Sequence, residues 1–257
     1  MIDPRAVIHE GAKLHPTVKV GPFAVIGPNV EIGESTEVGA AAIIDGYTTI
    51  GAMNRIFPHA AVGLEPQDLK FKGEKTLLTI GDRNVIREFA TMNPGTLGGG
   101  GITKVGSDCL FMTYSHVAHD CTVGNHVILA NAATLAGHVE VEDYVILGGL
   151  SGVHQFSRLG QHCIIGGGSV VVMDVPPFVT AAGNRARLSG LNLVGLKRRE
   201  FSEESIKAIR TAYRLLFQGS DTLTKAIEKL KSMEEFTHAE VRTFVEFLEK
   251  SQRGVTR

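Results

Sequence analysis

Six of the ten histidines of this 257-residue chain fall between positions 116 and 162: His116, His119, His126, His138, His154 and His162. Imidazole is the side chain whose ordinary pKa lies nearest physiological pH, so such a cluster can supply a general base or carry a proton. The spacing adds to the signal. His119 and His138 are 19 residues apart, and His154 follows 16 later. On a chain that coils every 18 residues, all three fall near one edge on neighbouring turns. Two readings compete: a row of turn histidines on a polar edge, and a functional line of imidazoles. The second requires a scaffold with that coil length.

The chain has one. An apolar residue recurs at every sixth position from Ile2 through Ile8, Leu14 and Val20 to Val62, then at Ile80, Ile86 and Met92. After a slip of one residue it runs without a miss from Val105 through Phe111 and Val117 to Val171. By chance this has a probability of about 10⁻⁹. Period six is neither helical nor that of a plain alternating strand, unless each strand is short and ends in a turn. The residue after the apolar one is often Gly, as at Gly21, Gly27, Gly33 and Gly106, and the fourth after it is small, as at Ala6, Thr36, Ser115, Ala133 and Ser151. Each hexad thus offers a large inward residue, a small inward residue and a turn tolerant of left-handed backbone. Three hexads close a triangular coil, and roughly nine coils stacked about 4.8 Å apart make a hexapeptide parallel β-helix on the order of 40 Å long.

Cys109, Cys121 and Cys163 all fall in the small inward column and read as buried reduced thiols, with neither disulfides nor a metal set among them. The net charge of −1 gives no electrostatic case for nucleic acid, and no run of 18 apolar residues exists to span a membrane. The opening MIDPRAVIHEGA enters the repeat at once with no apolar segment of the secretory kind, so the expectation is a cytoplasmic protein.

Two insertions break the hexads, at 64–79 and 97–104, and a solenoid pushes such insertions onto one face. The first carries Gln67, Asp68, Lys70 and Lys72. The second, LGGGGITK, reads as a flexible loop or a weak phosphate cradle. The repeat, residues 1–178, is expected to stop at Val175-Pro176-Pro177, where proline removes ladder donors. Residues 179–200 read as a linker. Residues 201–257 switch to helical periodicity: Ser202 caps a helix closed by Gly219, a second follows Asp221, and a third carries Val241, Phe244, Val245 and Leu248. This tail is too small for a core of its own and is expected to pack on the prism or on a neighbouring subunit.

The segment from GGGGITKVGSDCLFMTYSHVAHD to VEDYVILGG, the later VHQF, and GLKRREF with the helices behind it closely resemble the UDP-N-acetylglucosamine acyltransferases of lipid A synthesis, over essentially the whole chain. The resemblance implies a left-handed parallel β-helix with a C-terminal α-helical domain. It also implies transfer of an (R)-3-hydroxyacyl group from acyl carrier protein to the 3-position of UDP-N-acetylglucosamine. By the same resemblance His119 is the general base, Asp120 the carboxylate that orients it, and Gly137 the backbone donor to the oxyanion. Gln67, Asp68, Lys70, His116, His138, His154 and Gln155 are implied to contact substrate, and Asn192, Arg198 and Arg199 the nucleotide. GLKRRE can equally be a solvated helix entrance. Gly167 in Gly166-Gly167-Gly168 stands where an acyl-chain ruler is expected. The family pattern calls for no metal or cofactor beyond the carrier's phosphopantetheine arm, and for a homotrimer with sites between subunits.

Arg185 departs from the histidine common at its place, and Val194 from an acidic residue. The acceptor atom, hydroxyl or amine, stays open. Three rival readings are the N-acyltransferase of the same pathway, a zinc γ-type carbonic anhydrase, and an ice-binding or purely structural solenoid. The first normally carries an N-terminal domain before the repeat, the second needs three histidines on one metal, and the third needs a regular outward array that this chain lacks.

Overall fold

In the computed structural model, which describes residues 1–257, the hexads wind into a left-handed parallel β-helix of triangular section. Most strands are two residues long, such as Val25–Ile26 and His116–Val117, because each hexad spends its other four residues on a corner. The strands stack into three sheets of nine, eight and ten members, one for each face, all parallel but for the last strand of the third. Val7, Val25, Ile43 and Ala61 pair in steps of 18 residues. The step widens to 30 between Ala61 and Thr91 and to 25 between Thr91 and His116, then returns to 18. The first insertion is therefore twelve residues, two whole hexads, and preserves the phase. The second is seven, and its odd residue is the slip before Val105.

From Val20 onward the inward column is buried: Ile26, Ile44, Met92, Val117, Leu135 and Val153 fill the axis, with Ala24, Ala42, Ala90 and Ala133 beside them. All three cysteines are free and buried, and burial pushes the Cys109 thiol up to about 11 and that of Cys121 up to about 12. Glycine after the apolar residue has a different reason from the one its sequence suggests. Gly33 does not sit at positive φ; a Cβ there would lie 2.7 Å from the carbonyl carbon of Gly51 on the next coil. The left-handed corners are two residues further on and are mostly held by larger side chains, including Asp120, His138 and Phe156 at φ 59°, 61° and 64°. Stacking of these side chains up the edge offsets the local strain.

Residues 179–200 are not a linker. Val179–Ala182 continues the ten-stranded sheet beside Ile164–Ile165, and Arg187–Leu191 returns antiparallel to it. The prolines at 176 and 177 lie in the turn before this strand, so their missing N–H groups remove nothing from the ladder. Helix α1, Leu193–Arg198, follows.

The tail comprises α2, Glu203–Tyr213, running into a wide turn over Arg214–Gln218; α3, Leu223–Lys231; and α4, Ala239–Glu249. Ser202 caps α2 as expected, whereas α3 is capped by Thr222, one residue after Asp221. Of the two docking partners expected for this tail, the chain's own prism is used. Phe244 meets Phe178 edge-on at 6.0 Å, and the Arg158 guanidinium lies 4.4 Å from the Phe247 ring. The last residues fold back over the prism, where Asp174 N–H donates to Gly254 O and Thr256 N–H donates to Asp174 O.

Candidate active site

Successive coils place His116, His119 and His138 along one corner, between the nine- and eight-stranded sheets. His116 lies on its strand with Nδ1 2.7 Å from Thr91 Oγ1, one coil below. Two residues past the strand, His119 turns its Nδ1 toward Asp120 Oδ2 at 2.8 Å. The Asp120 side chain is completely buried, so this contact is made away from water, where a charged hydrogen bond is strong. The tautomer that uses it carries the proton on Nδ1 and leaves Nε2 a free lone pair. His138 meets the His119 ring edge-on at 5.1 Å, and its Nε2 is 3.9 Å from Asp120 Oδ2. Partial burial lowers the His138 pKa, with Asp120 and Asp68 pulling the other way. Burial, and then the neighbouring His119, lowers that of His116. Both rings are thereby biased toward their neutral forms.

The register places Gly137 and then Gln155 directly above His119 on the next two coils. A Cβ on Gly137 would lie 2.7 Å from His119 Nε2, and the Gly137 N–H makes no hydrogen bond within the chain. A general base and an uncommitted donor therefore sit one coil apart, an arrangement suited to acyl transfer.

His154 does not continue the stack. A step of 16 falls two residues short of a coil, and the ring packed on His138 is that of Phe156, at 4.3 Å. His154 Nδ1 instead lies 3.2 Å from Arg253 Nη2 in the C-terminal segment and 3.1 Å from Gln155 O. His126 and His162 belong to another corner, stacked on the two faces of Tyr144 at 4.5 and 4.7 Å. Burial, and then Arg199, lowers the His162 pKa to about 4. Beside them Arg199 lies 3.9 Å from the Tyr144 ring centroid. Asn192 caps α1 through Gly195 N–H and donates from Nδ2 to His162 O, so it has structural work here.

A profile described as UDP-N-acetylglucosamine O-acyltransferase, domain 2, matches residues 174–256, and one for bacterial transferase hexapeptide repeats matches residues 5–40 and 102–137. The acyl-[acyl-carrier-protein]–UDP-N-acetylglucosamine O-acyltransferase of Myxococcus xanthus is 53% identical over 256 residues, covering 100% of this chain and 99% of its own. The chain belongs to the UDP-N-acetylglucosamine acyltransferase family. The solved family member from Bacteroides fragilis superposes with a TM-score of 0.97 at 41% identity over 100% of both chains. The one from Francisella novicida gives 0.97 at 40% identity, covering 100% of this chain and 94% of that one.

Within one chain of this acyltransferase, the residues singled out from the sequence divide among three corners. His116, His119, Asp120, Gly137, His138 and Gln155 share the first. The loop bearing Gln67, Asp68 and Lys70 is anchored beneath it, Asn93 Nδ2 donating to Leu64 O and Glu65 O, and Asp68 acts electrostatically on His138. Lys70 N–H donates to Asp68 Oδ1, while Gln67 and Lys70 are exposed. Arg198 and Arg199 stand at the second corner beside Tyr144. Gly167 lies at the third, its Cβ position 3.3 Å from Gly149 O on the coil below. Arg185 is exposed beside Arg187 and Arg257, and Val194 is exposed on α1.

His119, Asp120 and His138 also bring three potential metal-ligand atoms within 4.8 Å of one another. Asp120 already accepts hydrogen bonds on both oxygens, one of them with His119 Nδ1, so a cation would have to displace those donors. The set fits a proton relay better than a metal site.

Sequence reasoning missed Thr96, which donates to both oxygens of Asp120. In the glycine-rich insertion the Leu97–Gly99 turn packs through Gly99 on that carboxylate, and the strand resumes at Ile102. Only the threonine beside an oddly sized insertion signals this in the sequence.

Proposed function

We propose that this chain transfers an (R)-3-hydroxyacyl group from the phosphopantetheine thioester of acyl carrier protein to the 3-hydroxyl of UDP-N-acetylglucosamine, the first step of lipid A biosynthesis. The observation that carries this reading is the His119–Asp120 pair, with Nε2 free and the uncommitted Gly137 N–H one coil above. In this reading His119 Nε2 takes the hydroxyl proton as the oxygen attacks the thioester carbonyl. Asp120 stabilises the imidazolium, and Gly137 N–H donates to the tetrahedral oxyanion. Collapse breaks the C–S bond, and the thiolate leaves with the proton returned from His119. No metal or further cofactor enters; the donor brings its own prosthetic arm.

Gln67, Asp68, Lys70, His116, His138, His154 and Gln155 line the acceptor and acyl path, while Asn192, Arg198 and Arg199 hold the nucleotide diphosphate, for which arginine is suited. These groups lie on different corners of one prism. A homotrimer of parallel prisms, corner against corner, unites them in clefts between subunits. Gly166-Gly167-Gly168 leaves the acyl groove open to a chain of about fourteen carbons, a length that packing along the groove would discriminate. No helix is long and apolar enough to cross a membrane, which accords with a cytoplasmic enzyme acting on carrier-bound acyl groups.

Purified protein with UDP-N-acetylglucosamine and a panel of (R)-3-hydroxyacyl carrier proteins tests the whole reading. Transfer is expected, fastest near fourteen carbons, and His119→Ala loses on the order of 10² or more in rate. Near-normal turnover in that variant overturns the mechanism. Transfer confined to a 3-amino acceptor overturns the acceptor, and a clear win for ten-carbon donors overturns the length.

A further inference from the structure

Asp120 is held by more than His119. Its fully buried carboxylate accepts the Thr96 backbone N–H on Oδ1 at 2.8 Å and the Thr96 hydroxyl on Oδ2 at 2.7 Å, the same oxygen that faces His119 Nδ1. Thr96 is brought there by the Leu97–Gly99 turn, closed by Gly99 N–H and Gly101 N–H donating to Thr96 O at 3.0 and 2.8 Å. A Cβ at Gly99 would run into the Asp120 carboxyl group, so the turn covers that group as closely as a backbone can. Behind it, Asp120 N–H donates to Thr103 Oγ1 at 2.8 Å from the strand that leaves the insertion. The seven-residue insertion is thus a lid built over one carboxylate.

We propose that Thr96 is a positioning residue of the acyl-transfer reaction, orienting Asp120 so that Asp120 in turn orients His119; the inference rests on the reading of His119 as general base. A carboxylate touched only by His119 is free to turn about its Cβ–Cγ bond. Two donors from one residue, one to each oxygen, fix its plane. The hydroxyl also draws charge from Oδ2, which tempers how strongly that oxygen stabilises the imidazolium. Thr96 keeps its proton throughout, and no bond to it forms or breaks.

Thr96→Val removes the hydroxyl and keeps the backbone donor and the shape, whereas Thr96→Ser keeps both donors. For Thr96→Val the expected result is a kcat roughly ten- to a hundredfold lower, less than the full general-base contribution, with KM for UDP-N-acetylglucosamine nearly unchanged. The acid limb of its kcat/KM profile moves to higher pH, because Oδ2 without its donor holds the imidazolium more tightly. Thr96→Ser stays within about threefold of the parent. In an Asp120→Ala background, Thr96→Val costs little more, since the two act as a unit. A merely structural role would lower the melting temperature but leave the pH profile of the folded enzyme in place.

The proposal is overturned if Thr96→Val keeps the parent kcat and profile, or if Thr96→Ser fails equally. His119→Ala measured in parallel separates the two readings. If it is inactive while Thr96→Val is normal, only the role of Thr96 falls. If it is active, the general base itself falls.

Discussion

A Cβ on Gly137 would stand 2.5 Å from Cε1 of the His119 ring. The coil register creates this contact, since Gly137 is the residue stacked one coil above His119. Glycine is required there because the imidazole occupies the space that any side chain would take. Gly137→Ala must therefore push the ring off Asp120 or spread the coils. We expect kcat to fall on the order of 10² and stability to drop by about 1–3 kcal/mol, the usual cost of overpacking. Kinetics and thermal melts of the purified variant check both.

Asp120→Asn tests the orienting carboxylate while keeping its size. The amide presents an N–H₂ group to donors that now lack a full acceptor set, and its carbonyl holds the His119 proton less well. Turnover is expected to fall on the order of 10² or more, with substrate affinity little changed. Single-turnover rates together with UDP-N-acetylglucosamine binding by calorimetry separate those two effects.

His162 makes stability depend on pH. It is packed against Tyr144, Phe178 and Phe201, and burial, then the Arg199 charge, lowers its pKa to about 4, with Asp143 pulling the other way. Between about pH 6.5 and 4 the unfolded chain binds the proton that the folded chain refuses. Stability from this group is complete above pH 6.5 and is lost as pH falls toward 4, by an amount on the order of 3 kcal/mol. His162→Phe keeps the stack and removes the titration. Denaturant melts across this range should show a shallower acid decline for the variant than for the parent.

Asp174 ties the C-terminal segment to the prism. Its carboxylate accepts Arg158 N–H at 2.9 Å and the Ser251 hydroxyl at 2.7 Å, and it is buried. Asp174→Ala leaves both donors without their partner and loosens residues 250–257, whose backbone bonds to residue 174 remain. A loss of about 2–4 kcal/mol is expected, with hydrogen exchange rising first in that segment. The Arg253 contact with His154 should loosen along with it.

Much of this scaffold was legible in advance because its rule is one-dimensional. A strand of two residues and a corner of four repeat without depending on distant contacts, so Ile26, Val117 and Leu135 could be assigned to the axis from spacing alone. Helices α2 and α4 were legible for a similar reason, through local periodicity, and the Ser202 cap through its residue type. The site was only partly legible. His119 and Asp120 stand together in the chain, and Gly137 is one coil away. The same arithmetic misplaced His154, because a two-residue error on a corner changes what a side chain faces. It also missed Thr96, which reaches Asp120 through a turn with no period at all.

The sequence by itself determined the number of coils, the inward columns, the two breaks and their unequal lengths, since each is a matter of counting along the chain. Only the tertiary structure decided what the breaks do. Twelve inserted residues return the repeat to phase and leave a loop beside the histidine corner. Seven cannot, and their Leu97–Gly99 turn closes instead over a buried carboxylate. The physical reason is that a repeat constrains only its own residues. A segment outside it takes its shape from the group it must cover, and here that group is Asp120.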